Sequence, residues 1–134
     1  MSKLTELILG AVALVLVSPA IADSVDVREW KVPYERSRPR DPFAENAKSV
    51  WFVGQRAGYL AHLDVETGEF TQVELKDGSG PHNLIVGSDG IVWYAGNLNG
   101  LIGRYDPATK EIEEIMMPDA GARDPHTLVF DKGE

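Results

Sequence analysis

Two histidines that each follow a proline are the residues of this sequence best suited to chemistry. His82 and His126 recur 44 residues apart in the same Pro-His pair. A neutral imidazole can bind a metal ion or accept a proton near pH 7. Asn83 and Asp124 flank the two pairs and add an amide and a carboxylate. We therefore predict that His82, His126, Asn83 and Asp124 contribute to one ligand-binding site.

The elements that position these residues come from an internal repeat. Residues 50–54 (Val-Trp-Phe-Val-Gly) return as residues 92–96 (Val-Trp-Tyr-Ala-Gly), and residues 63–69 return as residues 105–111. The tryptophans Trp51 and Trp93 are 42 residues apart. A period of this length is typical of repeat architectures. The repeat must therefore be interpreted before any single residue is.

Each repeat contains short apolar or alternating segments separated by Gly, Asn and Asp turns, which indicate strands. Four antiparallel strands followed by a longer crossover are typical of a β-propeller blade. We predict an all-β fold with a blade-closing strand at about 25–33, blades at about 43–75 and 82–117, and a further blade starting at 126–134. Residues 34–42 are predicted to be a loop, and 127–130 a strand. The tryptophans are predicted to pack between blades.

The Pro-His pairs mark the crossovers from an outer strand to the next inner strand, at the mouth of the predicted channel. A small-molecule or peptide-like ligand is the expected partner there. A structural alternative stays open, in which each imidazole bonds the backbone of a neighbouring blade. In the first repeat Pro42-Phe43 stands where Pro-His is expected, so a complete ring of histidines is not predicted.

Composition excludes several classes of function. The formal net charge is −8 and the pI about 4.8, which argues against nucleic acid as a partner. The sequence has no cysteine, so disulfides and cysteine-ligated zinc are excluded.

Residues 1–22 resemble a secretory signal peptide. Lys3 precedes an apolar run over residues 7–17, and Ala20-Ile21-Ala22 fits the small-x-small pattern that precedes cleavage. The apolar run is too short to span a bilayer comfortably. We predict a bacterial periplasmic or secreted protein that is not held in the membrane after cleavage.

Residues 23–134 are predicted to be a partial propeller domain. Propellers close with typically four to eight blades, and the sequence provides about two complete ones. We therefore expect an N-terminal piece of a longer protein, with the missing blades of the same protein as its partners.

Residues 81–112 resemble the repeat of the virginiamycin B lyase (streptogramin lyase) family. The shared features are the Pro-His start, the Asp-Gly turn before a Trp strand, and the Ile-Gly-Arg-Tyr-Asp-Pro-Ala-Thr segment. The resemblance implies a seven-bladed propeller that opens a cyclic depsipeptide by metal-assisted elimination with Mg²⁺. The family's catalytic residues lie on later blades, so none is carried over, and this chain alone supports no cofactor.

Two other classes of function stay open. One is a non-catalytic periplasmic propeller that binds a ligand or a protein, since no local catalytic cluster is evident. The other is a gluconolactonase-type hydrolase, which would place carboxylate and asparagine metal ligands toward the channel. Asn83 is the only residue that points to this last possibility.

Overall fold

A computed structural model describes residues 25–131, and these form two four-stranded antiparallel sheets. The predicted signal peptide lies outside the described residues. The all-β prediction is confirmed, and the described residues contain no helix that could cross a membrane. The first sheet contains β1 (Pro39–Asn46), β2 (Ser49–Gly54), β3 (Tyr59–Asp64) and β4 (Phe70–Glu74), and the second contains β5 (Pro81–Val86), β6 (Val92–Gly96), β7 (Leu101–Asp106) and β8 (Glu111–Met116).

The same turn joins the third and fourth strands of both sheets. Oδ1 of Asp64 accepts hydrogen bonds from the amides of residues 66 and 67, both 2.9 Å long. Asp106 Oδ1 accepts one from residue 108 in the same way. Gly68 ends the first turn at φ 77°, whereas Lys110 ends the second at φ 64°. A side chain is strained in this left-handed region, so Lys110 destabilises a turn that glycine would form more easily.

The main hydrophobic core lies between the two sheets, and β5 is the strand of the second sheet that packs against β1 and β2. Trp51 is 8% exposed and meets Tyr105 edge to face, with the ring centroids 6.1 Å apart. This confirms the packing role predicted for Trp51. Trp93, at the equivalent position, is only partly buried. The other buried members of this core are Val53, Leu60, Leu84, Val86, Val92, Tyr94 and Leu101.

The N-terminal segment covers the opposite face of the first sheet. Val32 and Tyr34 pack against a cluster that contains Phe52 and Tyr59. Residues 25–33 form no strand in this structure. The blade that they are predicted to close is not among the described residues, so the blade-closing strand stays a prediction. A strand requires a hydrogen-bonded neighbour, and both sheets are complete as four-stranded units without residues 25–33. The alternating apolar residues contact the sheet through their side chains instead.

The first blade begins earlier than predicted. Strand β1 starts at Pro39 rather than near residue 43, so the end of the predicted loop at 34–42 is strand. Pro39 pairs with Gly54, as Pro81 pairs with Gly96, and a register shift follows in both strands. Pro39 is therefore the counterpart of Pro81. The assignment of Pro42-Phe43 to the Pro-His position is wrong, because Pro39 and Pro81 keep the 42-residue spacing of Trp51 and Trp93, and Phe43 takes the position of Ile85.

Residues 122–130 form no strand in the structure, and the further blade predicted to start at 126–134 stays a prediction, because its other strands are not among the described residues. Two hydrogen bonds attach this segment to the second sheet. The Asn97 amide nitrogen donates to the carbonyl of Pro125 over 3.2 Å, and the backbone amide of Leu128 donates to Asn83 Oδ1 over 2.9 Å. The segment therefore lies along the sheet through side-chain contacts, without a ladder of backbone hydrogen bonds.

Candidate functional site

A sharp backbone turn precedes each junction proline. The residue before the proline is left-handed in all three places, with φ 55° at Arg38, 46° at Gly80 and 56° at Asp124. A non-glycine residue is seldom found in this region, and a following proline restricts it further. The shared conformation indicates that the fold imposes the turn.

The residues after the three junction prolines are Arg40, His82 and His126. They belong to consecutive repeats, and the structure brings the two histidines into contact. Their ring centroids are 3.4 Å apart, with the ring planes tilted by 39°. His82 is 4% exposed, whereas His126 is exposed. The two imidazoles therefore form an inner and an outer layer at the junction.

Asp41 joins this pair from the preceding blade. Its Oδ2 lies 3.5 Å from Nδ1 of His82, and its Oδ1 lies 3.8 Å from Nε of Arg40. Nδ1 of His82 makes no hydrogen bond of regular geometry, so Asp41 lies beside the imidazole without bonding to it. We call Arg40, Asp41, His82 and His126 the junction site. In the structural alternative, the imidazole would bond the backbone of a neighbouring blade. Nδ1 of His82 makes no such bond.

The pKa of His82 lies below its ordinary value of 6.5. Burial is the largest cause, because an imidazolium loses hydration there. The positive charge of Arg40 and the proximity of His126 lower the pKa further, and Asp41 partly opposes them. His82 is therefore neutral at pH 7 and can accept a proton or donate one from a single nitrogen.

This lowered pKa makes an acid-sensitive contribution to stability. The unfolded chain binds the His82 proton more tightly than the folded chain does, so stability falls as pH drops below about 6.5. We expect His82→Gln to reduce the loss of unfolding free energy between about pH 7.5 and pH 5, measured by urea denaturation. An unchanged loss in the His82 variant would contradict this prediction.

Asn83 and Asp124, the other two residues predicted for the site, are not hydrogen-bonded to the histidine side chains in the described part of the chain. Asn83 uses its Oδ1 to accept the hydrogen bond from the Leu128 amide, so this oxygen has a structural partner. Asp124 is exposed and lines a cavity of about 460 Å³ together with Asn97 and Arg123. No hydrogen bond or ion pair connects Asp124 to either histidine within residues 25–131. The contribution of both residues to ligand binding stays a prediction.

Arg40 and Asp41 are the members of the junction site that the four predicted residues omit. The repeated Arg-Asp-Pro at 40–42 and 123–125 was the available signal. It could not be interpreted correctly, because the two copies stand in different registers relative to their junction prolines. Pro39 precedes the first copy, whereas Pro125 is the last residue of the second.

The described residues do not fit a Mg²⁺ site. They contain no group of three or more His, Asp or Glu side chains arranged to hold a metal ion. Mg²⁺ also prefers oxygen ligands in octahedral geometry, whereas the junction site offers two imidazoles and one carboxylate that is already close to Arg40.

Fold and junction together define the class of protein: the described residues are part of a β-propeller, with two four-stranded blades whose inner strands meet. Solved virginiamycin B lyases resemble it. The enzyme from Staphylococcus aureus is 27% identical, with a TM-score of 0.67, and the match covers 79% of this chain and 36% of that one. A catalytically inactive His-to-Ala variant of that enzyme, solved with quinupristin, matches equally well.

A structure described as a streptogramin B lyase is 23% identical, with a TM-score of 0.64, and the match covers 69% of this chain and 31% of that one. At 23% identity this similarity supports a shared fold and says nothing about a shared activity. This chain spans about a third of the length of the solved lyases that it matches. No family model matches the chain, and no curated protein matches it either.

Proposed function

We propose that this chain forms part of an exported propeller lyase that opens cyclic depsipeptides, and that the junction site contacts the substrate. The observation that carries the proposal is the contact between His82 and His126, which hold equivalent positions of consecutive repeats. The resemblance to virginiamycin B lyase supports it. A variant of that enzyme that lacks one histidine is inactive, which supports a histidine-dependent reaction.

The two histidines have different roles in this proposal. His126 is exposed and therefore contacts the ligand. His82 is buried behind it and holds the His126 ring in position. Asp41 and Arg40 of the preceding blade place a negative and a positive charge near His82. In an elimination, a base takes the proton from the carbon next to a carbonyl group. The freed electron pair forms a C=C bond, the C–O bond on the adjacent carbon breaks, and a carboxylate leaves.

The alternatives differ in their products. A gluconolactonase-type hydrolase would need oxygen ligands for a metal, and the oxygen of Asn83 already accepts a backbone hydrogen bond. A non-catalytic binding propeller is consistent with the lack of a three-residue metal cluster in residues 25–131. It would bind the ligand and release it unchanged.

The test combines binding and product analysis. Binding of quinupristin to the 134-residue chain is followed by calorimetry, and we expect His126→Ala to weaken it about tenfold or more. His62→Ala is the matched control and should bind as the wild type does. Equal affinity of the His126 variant, or no binding at all, would overturn the proposal for this site.

Turnover is measured on the full protein that contains this chain. Elimination gives a ring-opened product with the mass of the substrate, because no water is added. A product heavier by one water molecule would identify a hydrolase instead. Tight binding without any product would favour the non-catalytic propeller.

A further inference from the structure

A second cavity lies between the two sheets, away from the junction site. It has a volume of about 530 Å³, within the range of small-molecule sites. None of the junction-site residues lines it. Its walls come from β2, β3 and β4 of the first sheet and from β7 and the turn that follows it. The lining residues are Trp51, His62, Thr71, Gln72, Val73, Tyr105, Pro107 and Lys110, and we call this cavity the inter-sheet groove.

Lys110 brings a positive charge to the groove, although its backbone is in the strained left-handed region. It holds φ 64° at the turn position where the first sheet has Gly68. Acidic residues outnumber basic ones 21 to 13, and yet no carboxylate forms an ion pair with Lys110 within residues 25–131. Strained residues occur preferentially at functional sites, which makes this lysine a candidate for ligand contact.

His62 is held in a fixed orientation elsewhere in the groove. Its Nε2 lies 2.8 Å from Ser49 Oγ, which in turn donates to Glu45 Oε2 over 2.6 Å. Glu45 also accepts the indole N–H of Trp51 over 3.2 Å. Since the serine proton goes to Glu45, the His62 Nε2–H donates to Ser49.

This network belongs to the groove and not to the blade scaffold. The strand register makes Arg104 the counterpart of His62, and Trp93 the counterpart of Trp51. In the second sheet an arginine therefore takes the place of the histidine, although the tryptophan is kept. The polar groups of the groove are consequently not required to build a blade.

We propose that the inter-sheet groove binds a small aromatic carboxylate. The ring would lie against the edges of Trp51 and Tyr105, whose centroids are 6.1 Å apart, and against Val73. The carboxylate would pair with the Lys110 ammonium, and His62 would face the ring. This proposal does not depend on the lyase function, since the two sites share no residue.

Benzoate is the probe for this site, and the indole N–H resonance of Trp51 reports its binding by NMR. The resonance is assigned with Trp51→Phe. We expect benzoate to shift the Trp51 and His62 signals, whereas acetate, which has no ring, and benzyl alcohol, which has no charge, bind about tenfold or more weakly. Absence of a saturable benzoate shift at these residues would overturn the proposal.

The deciding variant is Lys110→Gly, because glycine is the residue that the first sheet has at this position. The change removes the charge and relieves the left-handed strain, so the fold should be at least as stable as the wild type by thermal denaturation. Benzoate binding should weaken about tenfold. Lys48→Ala, which removes an exposed lysine paired with Glu66, is the control and should bind normally. Wild-type affinity in the Lys110 variant would refute the site.

Discussion

Gly103→Ala is expected to lower the free energy of unfolding by about 3 kcal/mol, at the upper end of the range for over-packed cores. Gly103 on β7 pairs with Tyr94 on β6, and a methyl group at residue 103 would overlap the tyrosine ring. Tyr94 is fully buried between the sheets and cannot move aside without displacing the core. Urea denaturation of both proteins measures the difference.

A double-mutant cycle shows whether the ring is the cause. In a Tyr94→Leu background the overlapping ring atoms are absent, so Gly103→Ala should cost much less. Gly121→Ala is the matched control, because Gly121 is exposed and its new methyl group would meet only the Asp119 carboxylate. A similar cost of Gly103→Ala in both backgrounds would exclude the steric explanation.

Trp51→Ala is expected to destabilise the fold by about 3–5 kcal/mol, as truncations of large buried aromatic residues do. The ring contacts both sheets, since it packs against Tyr105 and belongs to the shared core. Its removal would also leave Glu45 without the indole donor. Thermal and urea unfolding should both report the loss.

Trp93→Ala provides the comparison, because the sequence repeat places Trp93 at the same position of the next blade. Its side chain is only partly buried in the structure, so the loss should be clearly smaller. Equal losses for the two variants would mean that the partly exposed ring is as important as the enclosed one.

The blade pattern could be predicted from the sequence because it depends on local chemistry. Alternating side chains indicate strands, and Asp64 and Asp106 close their turns through bonds to nearby amides. The buried position of Trp51 followed from its recurrence. These features involve residues close in sequence or repeated at a fixed period.

The members of the junction site and the environment of His62 depend on contacts between residues that are distant in the sequence. Arg40 and not Phe43 is the counterpart of His82, because strand pairing keeps the 42-residue period of the tryptophans, which the Pro-His pairs, 44 residues apart, do not follow. Residues 25–33 alternate as a strand would, but strand formation depends on a neighbouring chain. His62 is partly buried and bonded to Ser49 across two strands, which no local sequence pattern indicates.

The residue that follows Arg40 or His82 contacts the next repeat in the sequence. Asp41 of the first blade reaches His82 of the second, and Asn83 of the second reaches the Leu128 amide of the next segment. A transplanted blade would therefore bring its own histidine but lose the carboxylate that faces it. A unit that keeps this pair must therefore run from β1 of one blade to β5 of the next.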